Sequence, residues 1–234
     1  MISHQPHDYC FGGVKGGEGK STLACNAAVI RSSKRDVLLV DGDKQATATD
    51  FTLIRKETRL GQTGYTAVQL RGTALRDEVK QLALKYEDVI IDVGGRDTVE
   101  QRCALAVANV YAVPFCPSSF DLWTLEQVAE LVEEASAFNP NLHALCFLSR
   151  ADSRGKENEA AIEVAQEISA LTFIDAPITN RKIYRDASAS GLAISEYKPR
   201  NTKAELELLN LFDYLFDPKF DIKNQSKKGV KNAR

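Results

Sequence analysis

The sequence predicts an α/β three-layer sandwich, a mostly parallel twisted sheet with helices on both faces, and two features carry that prediction. Short, uncharged and often β-branched runs alternate along the chain with longer segments in which apolar residues recur three and four apart. A glycine-rich stretch joins the first run to the first segment, where a strand would pass into a helix. The runs at residues 9–13, 37–40, 65–70, 89–91, 110–114, 143–148 and 171–174 lack the polar alternation of a half-exposed strand, so each is expected to be buried on both faces. The helical segments between them cover residues 20–33, 74–85, 99–106, 122–137 and 156–170. A last helix over 202–216 should stop at Asp217-Pro218, because proline lacks an amide hydrogen and its ring clashes with the preceding turn.

Residues 1–217 read as a single domain, since no linker rich in proline, glycine or serine divides them and 44% hydrophobic residues can fill one core. Residues 218–234 carry five lysines and one arginine against the single acid Asp221, the composition of a disordered basic tail. The net charge of -2 gives no overall basic footprint, so any nucleic-acid contact has to come from a local patch. The five cysteines, at 10, 25, 103, 116 and 146, are scattered and form no Cys-x-x-Cys pair. They read as buried reduced thiols in a cytoplasmic setting. No stretch approaches the ~18 apolar residues that a membrane-spanning helix needs.

The stretch Lys15-Gly16-Gly17-Glu18-Gly19-Lys20-Ser21-Thr22 has the pattern and the strand-to-helix context of a phosphate loop, which makes the sandwich a P-loop NTPase fold. Glycines let successive backbone N–H groups converge on phosphate oxygens, Lys20 can bridge the terminal phosphates of ATP, and Ser21 can ligate Mg²⁺.

Val14 stands where the general pattern has its first glycine, and Lys15 precedes the Gly-Gly pair. This form resembles the deviant Walker A box of the ParA/MinD family of ATPases, closest to the short ParA-like partition and positioning members. The resemblance implies that Lys15 reaches across the interface of an ATP-bound homodimer and supplies positive charge to the partner's nucleotide. Asp41-Gly42-Asp43-Lys44-Gln45 resembles the family's switch, usually Asp-x-Asp-Pro-Gln, with Lys44 in place of proline. That match implies that Asp43 orients or polarises the attacking water and that Asp41 supports the magnesium shell; apart from a phosphate loop, the two acids would read as an ordinary helix N-cap. Asp92, closing the run at 89–91, resembles the Walker B acid that holds Mg²⁺ through water. Gly94 would let the backbone approach the γ-phosphate, although the family often has prolines where Gly94 and Gly95 stand. Residues 147–152 and 176–179 fall where the family contacts adenine, which points to Ser149 and Pro177. Trp123 lies in a segment similar to the loop after the fifth strand of small partition ATPases and is expected in core or interface packing.

The same resemblance implies a slow, switch-type ATP hydrolase that associates with the nucleoid. Its ATP-bound dimer would bind DNA without sequence preference, through Arg181, Lys182, Arg185, Lys198, Arg200 and Lys203. A ParB-like centromere-binding or adaptor protein would stimulate hydrolysis, and the cargo would be a plasmid or a protein compartment such as a carboxysome. With its phosphate loop at residue 15, the chain is expected to lack the N-terminal DNA-binding extension of longer relatives. A MinD-like ATPase cycling on a membrane is the competing use, disfavoured because the basic tail has too little apolar surface to insert. A metabolic P-loop enzyme, such as a cobyrinic-acid-diamide or dethiobiotin synthetase, is the other alternative. It would need acid/base groups around a substrate pocket, whereas His4, His7 and His143 are the only histidines.

Overall fold

Strand β1 (His7–Gly13) runs through the centre of the sheet, and the glycine-rich loop leaves its carboxyl end to enter helix α1 (Lys20–Arg31). The structure, a computed structural model, describes residues 7–117, 119–152 and 157–216. The tail expected over 218–234, the Asp217-Pro218 stop and the helix start at Lys156 lie outside the described residues. Strand β1 is flanked by β4 (Asp88–Gly95) and β5 (Val110–Phe115). Beyond β4 come β2 (Val37–Asp41) and the edge strand β3 (Thr66–Gln69); beyond β5 come β6 (His143–Ala151) and β7 (Thr172–Phe173), with β8 (Ile178–Thr179) also pairing β6. All of these pairings are parallel. The order β3-β2-β4-β1-β5-β6-β7 reverses its direction of growth at β1, and open parallel sheets bind ligands in the crevice outside the strand carboxyl ends at such a point.

Successive side chains of a strand point to opposite faces, and here both faces are covered. Tyr9, Phe11, Val37, Leu39 and Ile90 face a core shared with α1, α2 (Thr47–Thr58), α7 (Lys182–Ala189) and α8 (Thr202–Leu215). Cys10, Leu38, Val40, Val89 and Ile91 face the other, built with α3 (Ala74–Leu82), α4 (Val99–Leu105), α5 (Ser119–Ser136) and α6 (Glu157–Glu167). This is the predicted sandwich. The cysteines are free, and Cys10, Cys25, Cys103 and Cys146 are buried.

The departures from expectation have physical reasons. Strands β3 and β7 are not buried on both faces, because they end the sheet order, with Thr66, Ala67 and Gln69 of β3 and Thr172 of β7 exposed. Helix α2 has no apolar stripe to mark it: it buries Ala48, Phe51 and Arg55 while Leu53 and Ile54 face solvent. Helix α7 is short, and its buried positions are limited to Tyr184 and Ala187. Trp123, expected in core or interface packing, is 71% exposed and so is not part of the core. Among the described residues no helix is long and apolar enough to cross a membrane.

Candidate functional site

The glycine-rich loop is held open at the carboxyl edge by backbone geometry and by three tethers. Gly17 and Gly19 have φ of 82° and 95°, in the left-handed region where a side chain would be strained, and Gly19 turns the chain directly into α1. The first N–H groups of that helix lack intrahelical partners and form a natural anion site. The Ser149 hydroxyl donates to the Glu18 carbonyl at 2.7 Å and the Arg150 guanidinium to the Gly17 carbonyl at 2.9 Å, so two residues at the end of β6 clamp the loop. Lys20 is buried; its ammonium donates to the Lys15 carbonyl and stands 3.9 Å from the buried Glu18 carboxylate. Lys15 is exposed on the outer side of the loop. A cavity of about 690 Å³, the size of a nucleotide site, opens over Gly16, Gly17, Gly19, Lys20, Ser21 and Thr22.

The three acids divide into different roles. Asp92 is fully buried and neither carboxylate oxygen has a hydrogen-bond partner. Burial pushes its pKa up to about 8; the nearby Ser21 hydroxyl and Lys20 ammonium act against this, and the Asp41 and Asp43 charges add to it. A buried carboxylate without partners beside a serine hydroxyl and two further acids fits a divalent cation held by Ser21 and Asp92. Asp41 is engaged by its own neighbours. Its Oδ1 accepts from the Asp43 N–H at 3.0 Å, and its Oδ2 from the Thr49 N–H and hydroxyl at 2.7 and 2.6 Å, so it caps α2. Asp43 lines the cavity, and a Cβ added at Gly94 would lie 3.0 Å from its Oδ1; glycine there lets the acid rest against the end of β4. Gly95 is tighter still, since its Cβ would fall 2.5 Å from the Lys15 carbonyl carbon and oxygen.

The wall opposite the phosphate loop is made by Ile178, Thr179, Asn180, Arg181, Tyr184 and Arg185. Pro177 is not among the cavity-lining residues, and the neighbouring Ile178 and Thr179 take that position. Ser149 reaches the cavity edge, but its hydroxyl is committed to Glu18. The six basic residues singled out for DNA differ in their surroundings. Arg181 and Arg185 line the cavity, with the Arg181 guanidinium held by Glu207 at 2.6 Å. Lys182 pairs with Asp186 at 2.9 Å and Arg200 with Glu205. Lys198 and Lys203 are exposed.

Residues 9–195 match the family model of the CobQ/CobB/MinD/ParA nucleotide binding domain. The chain belongs to this family. The maintenance of carboxysome distribution protein A of Halothiobacillus neapolitanus is 24% identical over 212 residues, which cover 89% of this chain and 95% of that protein. An ATP complex of Cyanothece McdA shares the fold with a TM-score of 0.69 at 18% identity, over 88% of this chain and 94% of that one. The septum site-determining protein MinD of Pyrococcus horikoshii, complexed with Mg-ADP, gives the same TM-score, identity and coverage. The relatives are therefore ParA-like positioning ATPases.

Arg150, Glu100 and Gln101 are site residues that sequence reasoning passed over. Arg150 follows Ser149 at the end of β6 with φ of 54°, a backbone turn that aims its side chain back at the loop and leaves no trace in the local pattern. Glu100, on the cavity wall, accepts from the Gly72 N–H at 3.0 Å and Gln101 is fully buried, although both stand in the polar-looking start of α4. A glutamine on the buried side of a short amphipathic helix was the available signal.

Proposed function

We propose that this chain is a ParA-like ATPase whose ATP-bound homodimer associates with nucleoid DNA and positions a cargo. The observation that carries this reading is the contrast between the two loop lysines, Lys20 buried and lining the cavity and Lys15 exposed. On this reading Lys20 gives up the Lys15 carbonyl and Glu18 for the terminal phosphates, while the loop N–H groups hold the inner ones. Magnesium, held at Ser21 and Asp92, would neutralise developing charge on the phosphates. Asp43 accepts a hydrogen bond from the attacking water and so orients it. Lys15 enters the second copy's site, so nucleotide acts as the clasp of a timed dimer.

Exposed Lys182, Lys198, Arg200 and Lys203 are the DNA cations this reading retains, supplemented by a basic tail at 218–234; Arg181 and Arg185 pass to the nucleotide. A small centromere-binding or adaptor protein would stimulate hydrolysis in the cytoplasm, with the cargo a plasmid or a protein compartment such as the one named for the Halothiobacillus relative. Size-exclusion chromatography with Mg-ATP tests the central claim. Wild type should dimerise reversibly, Lys15→Gln should remain monomeric, and Asp43→Ala should be trapped as a dimer. Identical elution of the three proteins would sink it. Fluorescence anisotropy with random-sequence DNA should show binding that requires ATP and weakens steeply with salt.

A further inference from the structure

Beyond the phosphate loop, Arg96 lines the same cavity from the turn that follows β4. Its φ of 123° lies in a region that residues with side chains rarely adopt, and such strain persists where surrounding structure holds it, often at switches. The surroundings here can be named. The buried Gln101 amide, oriented so that its oxygen accepts from the Tyr111 hydroxyl, donates to the Gly13, Gly94 and Arg96 carbonyls at 2.9, 3.2 and 2.7 Å. On the other side, Gly95 packs backbone to backbone against Lys15.

The Arg96 side chain is exposed and has no hydrogen bond or ion pair among the described residues. Of the acids nearest to it in sequence, Asp92 is fully buried and the other two are engaged elsewhere. Asp97 takes Arg102 through two hydrogen bonds of 2.6 and 2.7 Å, and Glu100 takes the Gly72 N–H. The neighbouring Gly94 abuts Asp43, so the turn stands at the end of the cavity where hydrolysis is placed.

We propose that Arg96 is a further phosphate ligand of this site, a cation supplied in cis by the strained turn to the terminal phosphate, with Gln101 as its positioning residue. The proposal rests on the nucleotide reading above. A guanidinium matches phosphate oxygens with two parallel N–H bonds, so a triphosphate satisfies Arg96 and a diphosphate leaves it unpartnered. Because Gly95 lies against the backbone of Lys15, engagement of Arg96 also steadies the segment from which the dimer-forming lysine projects.

Calorimetric titration of the full chain with ATPγS and with ADP, each in Mg²⁺, tests this. Arg96→Ala should weaken ATPγS binding by about ten- to a hundredfold and ADP binding by less than about twofold, at an unchanged melting temperature. Arg96→Lys, which keeps the charge without the fork, should fall between. In a Gln101→Leu background the Arg96→Ala substitution should cause little further loss, a coupling that a merely structural glutamine does not produce. Wild-type ATPγS affinity in Arg96→Ala, or an equal loss for both nucleotides, overturns the proposal and leaves the nucleotide site standing. A wild-type chain that binds neither nucleotide overturns both.

Discussion

Replacing Asp8 with asparagine is expected to stabilise the protein in alkaline solution and to have little effect in acid. Asp8 lies near the start of β1, with one carboxylate oxygen buried and without a hydrogen-bond partner. The neighbouring Asp88 takes the available cations, Arg31 at 2.6 Å and Arg35 at 3.5 Å. Burial, and then the Asp88 charge, raise the Asp8 pKa from 3.8 to about 7. The native state therefore holds this proton more tightly than the unfolded chain does. Protonated Asp8 favours the fold fully below pH 3.8, and that contribution is lost as the pH rises through 7. The loss above pH 7 corresponds to roughly 4 kcal/mol. Asparagine cannot ionise, and the substitution leaves in place the backbone N–H bond from residue 8 to the Asn109 side chain, 2.8 Å long. Allowing for local relaxation, the gain at pH 8.5 should be about 2–4 kcal/mol, or roughly 5–10 °C in melting temperature, and less than half as large at pH 5. Urea unfolding of both proteins at the two pH values, without nucleotide, measures it. An equal gain at both pH values, or a loss at pH 8.5, would refute the assignment of a buried, uncompensated carboxyl.

Gly95→Ala places a Cβ 2.5 Å from the Lys15 carbonyl, so the phosphate loop has to move by close to 1 Å; a displacement of that size costs about a hundredfold in activity, and ATP hydrolysis should fall accordingly while circular dichroism stays native. Asp92→Asn removes a buried carboxyl that the fold holds protonated up to about pH 8 at a cost relative to the unfolded chain, so at pH 7 and above it should raise the melting temperature in metal-free buffer and abolish the further rise that Mg-ATP gives the wild type. Arg55, 3% exposed, donates to both Glu196 oxygens at 2.6 and 2.9 Å and to the Thr63 and Gly191 carbonyls, tying α2 to the segment before α8. Arg55→Ala should therefore cost about 3–5 kcal/mol in urea unfolding, and a cost below about 1 kcal/mol would show that the pair is solvated.

Much of the nucleotide site was legible because it is local. A strand, a glycine-rich turn and a helix are contiguous in the chain, so Lys15, Lys20 and Ser21 announce themselves without any long-range information. Asp43 and Asp92 were readable for a related reason: each follows an apolar run, and parallel strands deliver their carboxyl ends to one edge. Asp41 ends an apolar run in the same way, and only the structure shows Thr49, eight residues on, folding back to donate to one of its oxygens. The six basic residues at 181–203 look alike in the sequence, yet in the structure Arg181 and Arg185 line the cavity while acids on α7 and α8 pair with Lys182 and Arg200. Charge along a chain says nothing of which side chains already have partners.

The sequence by itself determined the sandwich, its parallel sheet and the phosphate loop, since hydrophobic periodicity and glycine-dependent turns are properties of neighbouring residues. The tertiary structure alone decided the sheet edge at β3, the clamp from Ser149 and Arg150, and the hold of Gln101 on the strained Arg96 turn. Each of these joins groups from separate elements, and their energies depend on burial and on which donors meet which acceptors. Those quantities come into existence only when the chain has folded.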